Sequence, residues 1–162
     1  MNKLKTVFVD RDGVINQERS DYVKSISELA IYPNVAKNIK LLKDAGFLVV
    51  VITNQSAVNR GIITHEMINQ IHNSIQDHLK KYGTFLDGFY YCPHTPDENC
   101  NCRKPKSGLL EKAILELNID LNSSWMIGDR DSDIEAANSI GCKAIKIGDS
   151  FSLDNAVGKI LN

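Results

Sequence analysis

Two carboxylates two residues apart, Asp10 and Asp12, carry the residue types that phosphate-ester cleavage needs. They follow a short apolar run, and Gly13 permits a turn that would bring both into one pocket. One carboxylate could attack phosphorus while the other moves protons. A phosphate monoester is a dianion, so a divalent cation held by Asp10 and a distant acid such as Asp129 would have to cancel the repulsion. Hard oxygen ligands favour Mg²⁺.

Three further polar segments suit the same chemistry. The run 53–56 offers hydroxyl and amide groups for phosphate oxygens. Arg103 and Lys104 precede a predicted helix and could balance charge on a phosphoryl group. In the segment 128–133, Asp129 could bind a metal and Asp133 could hold Asp129 or a metal-bound water. Each piece alone also fits a structural role, namely a loop acid, a polar turn, a basic loop or a helix cap. Their joint occurrence in this order is what favours a catalytic site.

A cysteine–histidine cluster has the form C-x-H-x5-C-x-C, and its members are Cys92, His94, Cys100 and Cys102. Thiolate and imidazole ligands suit tetrahedral Zn²⁺, and a full ligand set leaves no open position, which predicts a structural ion. Unligated thiols in a loop are the alternative. A zinc ion bound at the cluster would fix the two cations that follow it in the sequence. Cys142 is expected in the core, and the three remaining histidines are assigned no role.

Strands alternate with helices along the chain. Apolar runs predict strands at 6–10, 47–53, 88–91, 125–128 and 143–147. Helical spacing predicts helices at 33–45, from the Thr64 cap through Leu79, from the Ser107 cap, at 132–140 and at the C-terminus. This alternation predicts an α/β fold, a three-layer Rossmann-like parallel sheet with helices on both faces. Asp10, Thr53 and Asp129 end separate strands, so they should meet at one sheet edge.

Composition narrows the class of protein. The 162 residues suit one domain spanning 1–162, and the net charge of −1 offers no field for nucleic acid or anionic membrane. The N-terminal apolar run is too short for a signal peptide or membrane span. We therefore expect a cytoplasmic monomer whose partner is a small phosphorylated metabolite, with no nucleic-acid or membrane partner.

Four segments carry a resemblance to a known family: Phe8-Val-Asp-Arg-Asp-Gly-Val-Ile-Asn16, Val51-Ile-Thr-Asn-Gln-Ser56, Cys102-Arg-Lys-Pro105 and Met126-Ile-Gly-Asp129. They resemble the four motifs of the haloacid dehalogenase-like superfamily, and most of all its heptose-bisphosphate and histidinol-phosphate phosphatase branch. The match runs from about residue 6 to about residue 148. That branch also carries the cysteine–histidine cluster.

The resemblance implies a role for each matching residue. Asp10 would be the nucleophile and Asp12 the general acid and then base, with Thr53 and Lys104 binding the phosphoryl group. Asp10, Asp129 and the backbone carbonyl of Asp12 would hold Mg²⁺. The implied substrate contacts are Asn54, Gln55, Ser56, Arg103, Arg130, Glu18 and Asp21. The last two lie in a segment, 17–22, that is one residue longer than expected for the branch.

The resemblance also implies an activity. An acid at position 12 favours phosphate esters over halides, because an alkoxide needs a proton to leave. The intervals between motifs leave no room for a cap domain, so short loops would select the substrate. We expect a phosphatase that removes the 7-phosphate of a heptose 1,7-bisphosphate in heptose biosynthesis. The alternatives are a histidinol-phosphate phosphatase, a phosphatase for nucleic-acid ends and a zinc-binding module without activity.

Overall fold

Five parallel strands form one sheet in residues 2–162, the part of the chain that the computed structural model describes. The strands are β1 (Thr6–Val9), β2 (Leu48–Asn54), β3 (Gly88–Cys92), β4 (Trp125–Gly128) and β5 (Lys143–Lys146). Their order is β3-β2-β1-β4-β5, which places β1 between β2 and β4. The predicted parallel sheet is confirmed.

Helices cover both faces of the sheet. They are α1 (Val35–Asp44), α2 (His65–Lys80), α3 (Gly108–Leu117), α4 (Asp131–Asn138) and α5 (Leu153–Leu161). One buried cluster packs α1, α2 and α5 against one face, and a second packs α3 and α4 against the other. Side chains of a strand alternate between faces, so Val7 and Val9 enter the first cluster and Phe8 the second. The three-layer architecture is therefore confirmed.

Local capping agrees with the sequence at α2 but not at α3. Thr64 Oγ1 accepts a hydrogen bond from the Met67 N–H at 3.1 Å, as a helix N-cap should. Ser107 stands at the N-cap of α3, but its side chain makes no capping bond and donates instead to Glu111 Oε2. The prediction of a side-chain cap at Ser107 was wrong, because its hydroxyl donates to the carboxylate of the glutamate one turn on.

The intervals between the motif-bearing strands hold only short elements. Residues 11–47 contain a 3-10 helix and α1, and residues 55–103 contain α2, β3 and the cysteine-bearing loop. Within residues 2–162 there is thus no inserted cap domain. No helix in this range is both long and apolar enough to span a membrane.

The core contacts of α2 lead to a stability prediction. Ile75 is fully buried in the cluster on the first sheet face, whereas Leu115 on α3 is 85% exposed. We expect Ile75→Ala to lower the free energy of unfolding by about 2–5 kcal/mol, because it leaves a cavity. Leu115→Ala should change the free energy of unfolding by less than about 0.5 kcal/mol. Urea unfolding followed by circular dichroism measures both, and equal effects would contradict the packing described here.

Candidate active site

The carboxyl ends of three neighbouring strands supply the site. Asp10 follows β1, Thr53 and Asn54 end β2, and Asp129 follows β4. Because these strands are adjacent in the order β2-β1-β4, their ends lie together. A cavity of about 660 Å³ opens there. Of the residues predicted to act in catalysis or substrate binding, those lining it are Asp10, Asp12, Glu18, Asn54, Gln55, Ser56, Arg103, Lys104 and Arg130.

A buried lysine links two of the acids. Lys104 is 3% exposed, and its Nζ lies 3.0 Å from Asp10 Oδ1 and 2.6 Å from Asp133 Oδ1. The ammonium also donates to the carbonyl of Ile52 at 2.7 Å. Burial alone would lower the pKa of Lys104, but the two carboxylates outweigh it and raise the pKa. Lys104 therefore stays charged and holds the carboxylate of Asp10 in place.

The third acid, Asp129, has a buried oxygen, Oδ1, for which residues 2–162 provide no hydrogen-bond partner. Carboxylate oxygens of Asp10, Asp129 and Asp133 lie within 4.8 Å of one another. Burial first, and then the charges of Asp10 and Asp133, raise the pKa of Asp129 to about 7. Three carboxylates close to one ammonium leave an excess of negative charge, and one oxygen of Asp129 is unused. Carboxylate oxygens in this arrangement are a donor set that fits a hard divalent cation.

The turn that follows Asp10 requires a glycine at position 13. Its φ is +90°, and an added Cβ would overlap the carboxylate of Asp129. A glycine is therefore needed both for the backbone conformation and for the close approach. The turn predicted from the sequence thus has a second function, which is to let β1 and β4 bring their acids together.

Asp12 is held by three donors. Its Oδ1 accepts from Asn16 Nδ2 and Arg11 Nη2, both at 3.0 Å, and its Oδ2 accepts from Gln55 Nε2 at 2.7 Å. Burial raises the pKa of Asp12, but the Arg11 charge and the three donors outweigh it, and the pKa falls below its usual range. Asp12 is therefore ionised in the absence of substrate, and a phosphate dianion bound beside it would favour its protonation. Oδ2 is the better placed oxygen to take up that proton, because it accepts one hydrogen bond and Oδ1 already accepts two.

Polar side chains at the end of β2 and directly after it orient the catalytic candidates. Gln55 Nε2 bridges Asp12 Oδ2 and Thr53 Oγ1, the latter at 2.9 Å. Asn54 forms two hydrogen bonds with the backbone of Lys104, donating to its carbonyl at 3.1 Å and accepting from its N–H at 3.0 Å. The sequence predicted substrate contacts for both amides. In the structure their hydrogen bonds go to the protein, although both residues still line the cavity.

Cationic side chains dominate the outer part of the cavity. Arg103 and Arg130 line it as predicted, and Arg19 and Arg60 add two more guanidinium groups. Arg130 forms an ion pair with Glu18. Arg19 was not predicted as a site residue, because only the folded segment 17–22 brings it to the cavity.

Asp21 is placed differently from the other predicted substrate contacts. It is not among the described residues that line the cavity, and its carboxylate binds Arg19 and Lys24 at the surface. Hydrogen bonds from Lys24 and Arg19 lower the pKa of Asp21 to about 2. Asp21 thus pairs with two neighbouring cations outside the cavity, and its contact with substrate stays a prediction.

The cysteine–histidine cluster assembles beside the cavity. Cys92, His94, Cys100 and Cys102 place one ligand atom each within 4.8 Å of all the others. The Sγ atom of Cys92 lies 3.6 Å from that of Cys100 and 3.2 Å from that of Cys102, too far for disulfides. A tetrahedron with metal–sulfur bonds of ~2.3 Å separates its ligands by roughly 3.7 Å. The cluster therefore fits a structural Zn²⁺.

The cluster is joined directly to the cations of the site. Arg103 donates its backbone N–H to Cys100 Sγ at 3.3 Å, and its Nη1 donates to the carbonyl of His94 at 3.3 Å. Burial raises the pKa of Cys100, but backbone N–H donors, led by Arg103, lower it to about 7. A bound metal would thus fix Arg103 and Lys104 relative to the sheet.

Sequence reasoning missed one pair in the site. Arg11 is fully buried, and its Nη1 lies 3.3 Å from Nε2 of His72 on α2. The two residues are far apart in the sequence, and helical periodicity alone indicates only that His72 faces the core.

The fold and this set of acids and a lysine define a haloacid dehalogenase-like hydrolase, and comparisons with known proteins agree. A family model described as HAD-hydrolase-like matches residues 101–158. The D-glycero-beta-D-manno-heptose-1,7-bisphosphate 7-phosphatase of Haemophilus ducreyi is 41% identical over 146 residues, which cover 86% of this chain and 80% of the relative. The chain belongs to the haloacid dehalogenase-like superfamily, in the branch of the heptose-bisphosphate and histidinol-phosphate phosphatases, and is a phosphoric monoester hydrolase.

Two further similarities bear on function. A crystal structure of D,D-heptose 1,7-bisphosphate phosphatase from B. bronchiseptica, complexed with magnesium and phosphate, matches with a TM-score of 0.90 and 29% identity over 98% of both chains. The histidine biosynthesis bifunctional protein HisB of Legionella pneumophila is 34% identical over 98% of this chain, which corresponds to 45% of that relative. The family and the enzyme class predicted from the motifs are confirmed.

The contact between Gly13 and Asp129 leads to a prediction about activity. We expect Gly13→Ala to lower kcat/KM by on the order of 100-fold, because the added Cβ displaces Asp129 from the other acids. Gly158→Ala is the matched control, since an added Cβ there meets nothing within 4 Å. Phosphate release measures activity, and circular dichroism verifies folding. A folded, fully active Gly13→Ala variant would contradict the required close approach.

Proposed function

We propose that the chain is a magnesium-dependent phosphatase that removes the 7-phosphate of D-glycero-D-manno-heptose 1,7-bisphosphate through an aspartyl-phosphate on Asp10. The observation that carries this proposal is the buried Asp10–Lys104 ion pair beside the unpartnered oxygen of Asp129. Relatives with the same named activity support it.

The hydrogen bonds of Asp10 suggest which oxygen attacks. Lys104 Nζ and the N–H of Arg11, at 2.8 Å, both engage Oδ1, so we assign the attack on phosphorus to Oδ2. As the Oδ2–phosphorus bond forms, the ester bond breaks, and the leaving oxygen takes a proton from Asp12 Oδ2. Asp12 then removes a proton from water, which attacks the phosphorus and frees Asp10 and inorganic phosphate. Lys104 balances the negative charge of the phosphoryl oxygens, and Thr53 binds these oxygens with Lys104.

Asp10, Asp129 and the backbone carbonyl of Asp12 would hold the Mg²⁺ ion. A divalent cation there offsets the repulsion between the carboxylates and the phosphate dianion. Asp133 has its own role in the proposal, because its contact with Lys104 sets where the ammonium lies.

The charge of the outer cavity favours a bisphosphate over an amine-bearing substrate. Of the four arginines that line it, Arg60 and Arg103 have no carboxylate partner among the described residues and suit a second phosphate. Arg19 and Arg130 already pair with carboxylates. An amine would need a free carboxylate, but Glu18 is paired with Arg130 and Asp21 with surface cations. Histidinol phosphate remains the second candidate, because a relative from histidine biosynthesis matches nearly the whole chain.

Phosphate release in Mg²⁺ from heptose 1,7-bisphosphate and histidinol phosphate, assayed in parallel, tests the proposal. We expect the bisphosphate to be preferred in kcat/KM and Asp10→Asn to abolish activity, because the amide cannot form the phosphoenzyme. Asp44→Asn, an exposed carboxylate on α1, is the control and should be fully active. Preference for histidinol phosphate would overturn the substrate, and activity in Asp10→Asn would overturn the mechanism.

We also propose that the four-ligand cluster holds one structural Zn²⁺ and that residues 1–162 act as a single phosphatase domain. The mutual distances of the three thiols and the imidazole support the metal. A site of this kind requires reduced thiols, which supports a cytoplasmic location. We propose a monomer that acts alone on its metabolite.

Zinc content provides an independent test. We expect about one Zn²⁺ per chain by elemental analysis, and loss of that zinc in Cys100→Ala. Because the cluster holds Arg103 and Lys104, the variant should also show a raised KM and a lower melting temperature. Cys142→Ala removes a cysteine outside the cluster and should keep its zinc. A zinc-free wild-type protein with full activity would contradict the assignment.

A further inference from the structure

His72 is a buried polar side chain that takes part in no step of the proposed phosphatase mechanism. It lies on α2, only 4% exposed, and its ring stacks on Phe89 with centroids 4.4 Å apart and planes inclined by 15°. The edge of Tyr91 closes a second side, at 5.9 Å between centroids. The imidazole is therefore fixed in orientation by packing.

Within the described part of the chain, the hydrogen bond of this ring leads to the active site. His72 Nε2 lies 3.3 Å from Arg11 Nη1, and Arg11 Nη2 donates to Asp12 Oδ1 at 3.0 Å. Arg11 is completely buried, and its Nε has no hydrogen-bond partner among the described residues. The plane of the guanidinium is thus set by two side-chain partners, His72 and Asp12.

The imidazole must accept this hydrogen bond, since a guanidinium only donates. Burial, and then the charge of Arg11, lower the pKa of His72 to about 3, so the ring is neutral at any pH at which the enzyme would work. A carboxylate at this position would neutralise Arg11 and compete with Asp12 for it. A neutral acceptor orients Arg11 while leaving its full charge directed at Asp12.

We propose that His72 is a positioning residue for catalysis, which fixes Arg11 so that Asp12 presents Oδ2 to the leaving group. The inference rests on the proposed function of Asp12 as acid and base. It places part of the catalytic support on α2, outside the four motif segments and about sixty residues along the chain from Asp12.

The dependence of rate on the leaving group separates this role from a merely structural one. An alkoxide leaving group, as in heptose 1,7-bisphosphate, needs a proton from Asp12, whereas p-nitrophenolate leaves without one. The test measures the first step alone, release of the leaving group in a single turnover, because Asp12 acts as the base for both esters in the later hydrolysis of the phosphoenzyme. We expect His72→Phe, which keeps the stacking but removes the acceptor, to lower the single-turnover rate for the heptose ester by on the order of 10-fold. The single-turnover release of p-nitrophenolate should change less than about 2-fold, and the concentration of substrate that gives half the maximal rate should stay the same for both esters.

Three variants sharpen the test. His72→Gln, whose amide oxygen can replace Nε2 as acceptor, should recover most of the lost rate. His78→Phe changes a histidine on the same helix that contacts Tyr82, and it should leave both rates unchanged. His72→Leu is a second acceptor-free variant to be used if His72→Phe does not fold.

Asp12→Asn distinguishes the two ways in which the proposal can fail. If Asp12→Asn slows leaving-group release in a single turnover for the heptose ester but much less for p-nitrophenyl phosphate, Asp12 is the acid, and His72→Phe should add nothing in that background. If Asp12→Asn slows leaving-group release equally for the two esters, the proposed function of Asp12 as the acid fails. If Asp12→Asn distinguishes the two esters, but His72→Phe slows both equally or neither, only the role of His72 is overturned.

Discussion

The constraint on which the site depends is the burial of one ammonium among carboxylates. A buried charge is stable only when it is paired and fully hydrogen-bonded, so Lys104 needs Asp10, Asp133 and the Ile52 carbonyl at once. These partners come from β1, α4 and β2, and their positions follow from the strand order. Lys104 itself lies in a loop, and Asn54 binds its backbone on one side while the cysteine cluster holds the preceding residues on the other.

Most of the polar side chains around the cavity hold other side chains rather than facing free space. Gln55 connects Asp12 to Thr53, and Arg11 connects Asp12 to α2. This network reduces the motion of each group before substrate arrives, and preorganised groups lose less entropy in the transition state. Asp129 differs, since one of its oxygens is buried and unsatisfied, which raises the free energy of the protein until a cation binds.

The sequence predicted the architecture well, because period-two and helical patterns identify buried faces directly and strand ends then indicate where acids meet. The prediction of which residues surround the cavity was more accurate than the prediction of the partner that each side chain contacts. Asn54 and Gln55 are examples, because an amide after a strand can face ligand or protein with equal ease. Asp21 pairs with Arg19 and Lys24 outside the cavity, which the sequence does not indicate. The Arg11–His72 contact joins segments that are brought together only by tertiary packing.

The position of the cysteine-bearing loop has a consequence for how such an enzyme can diversify. The loop follows β3, one of the two edge strands, whereas the acids follow β1 and β4, which are inner strands. Insertions or deletions after an edge strand do not have to pass between other strands, so this loop can change length and sequence while the inner strands keep their register. One part of the substrate-binding surface can therefore change while Asp10 and Asp129 keep their positions.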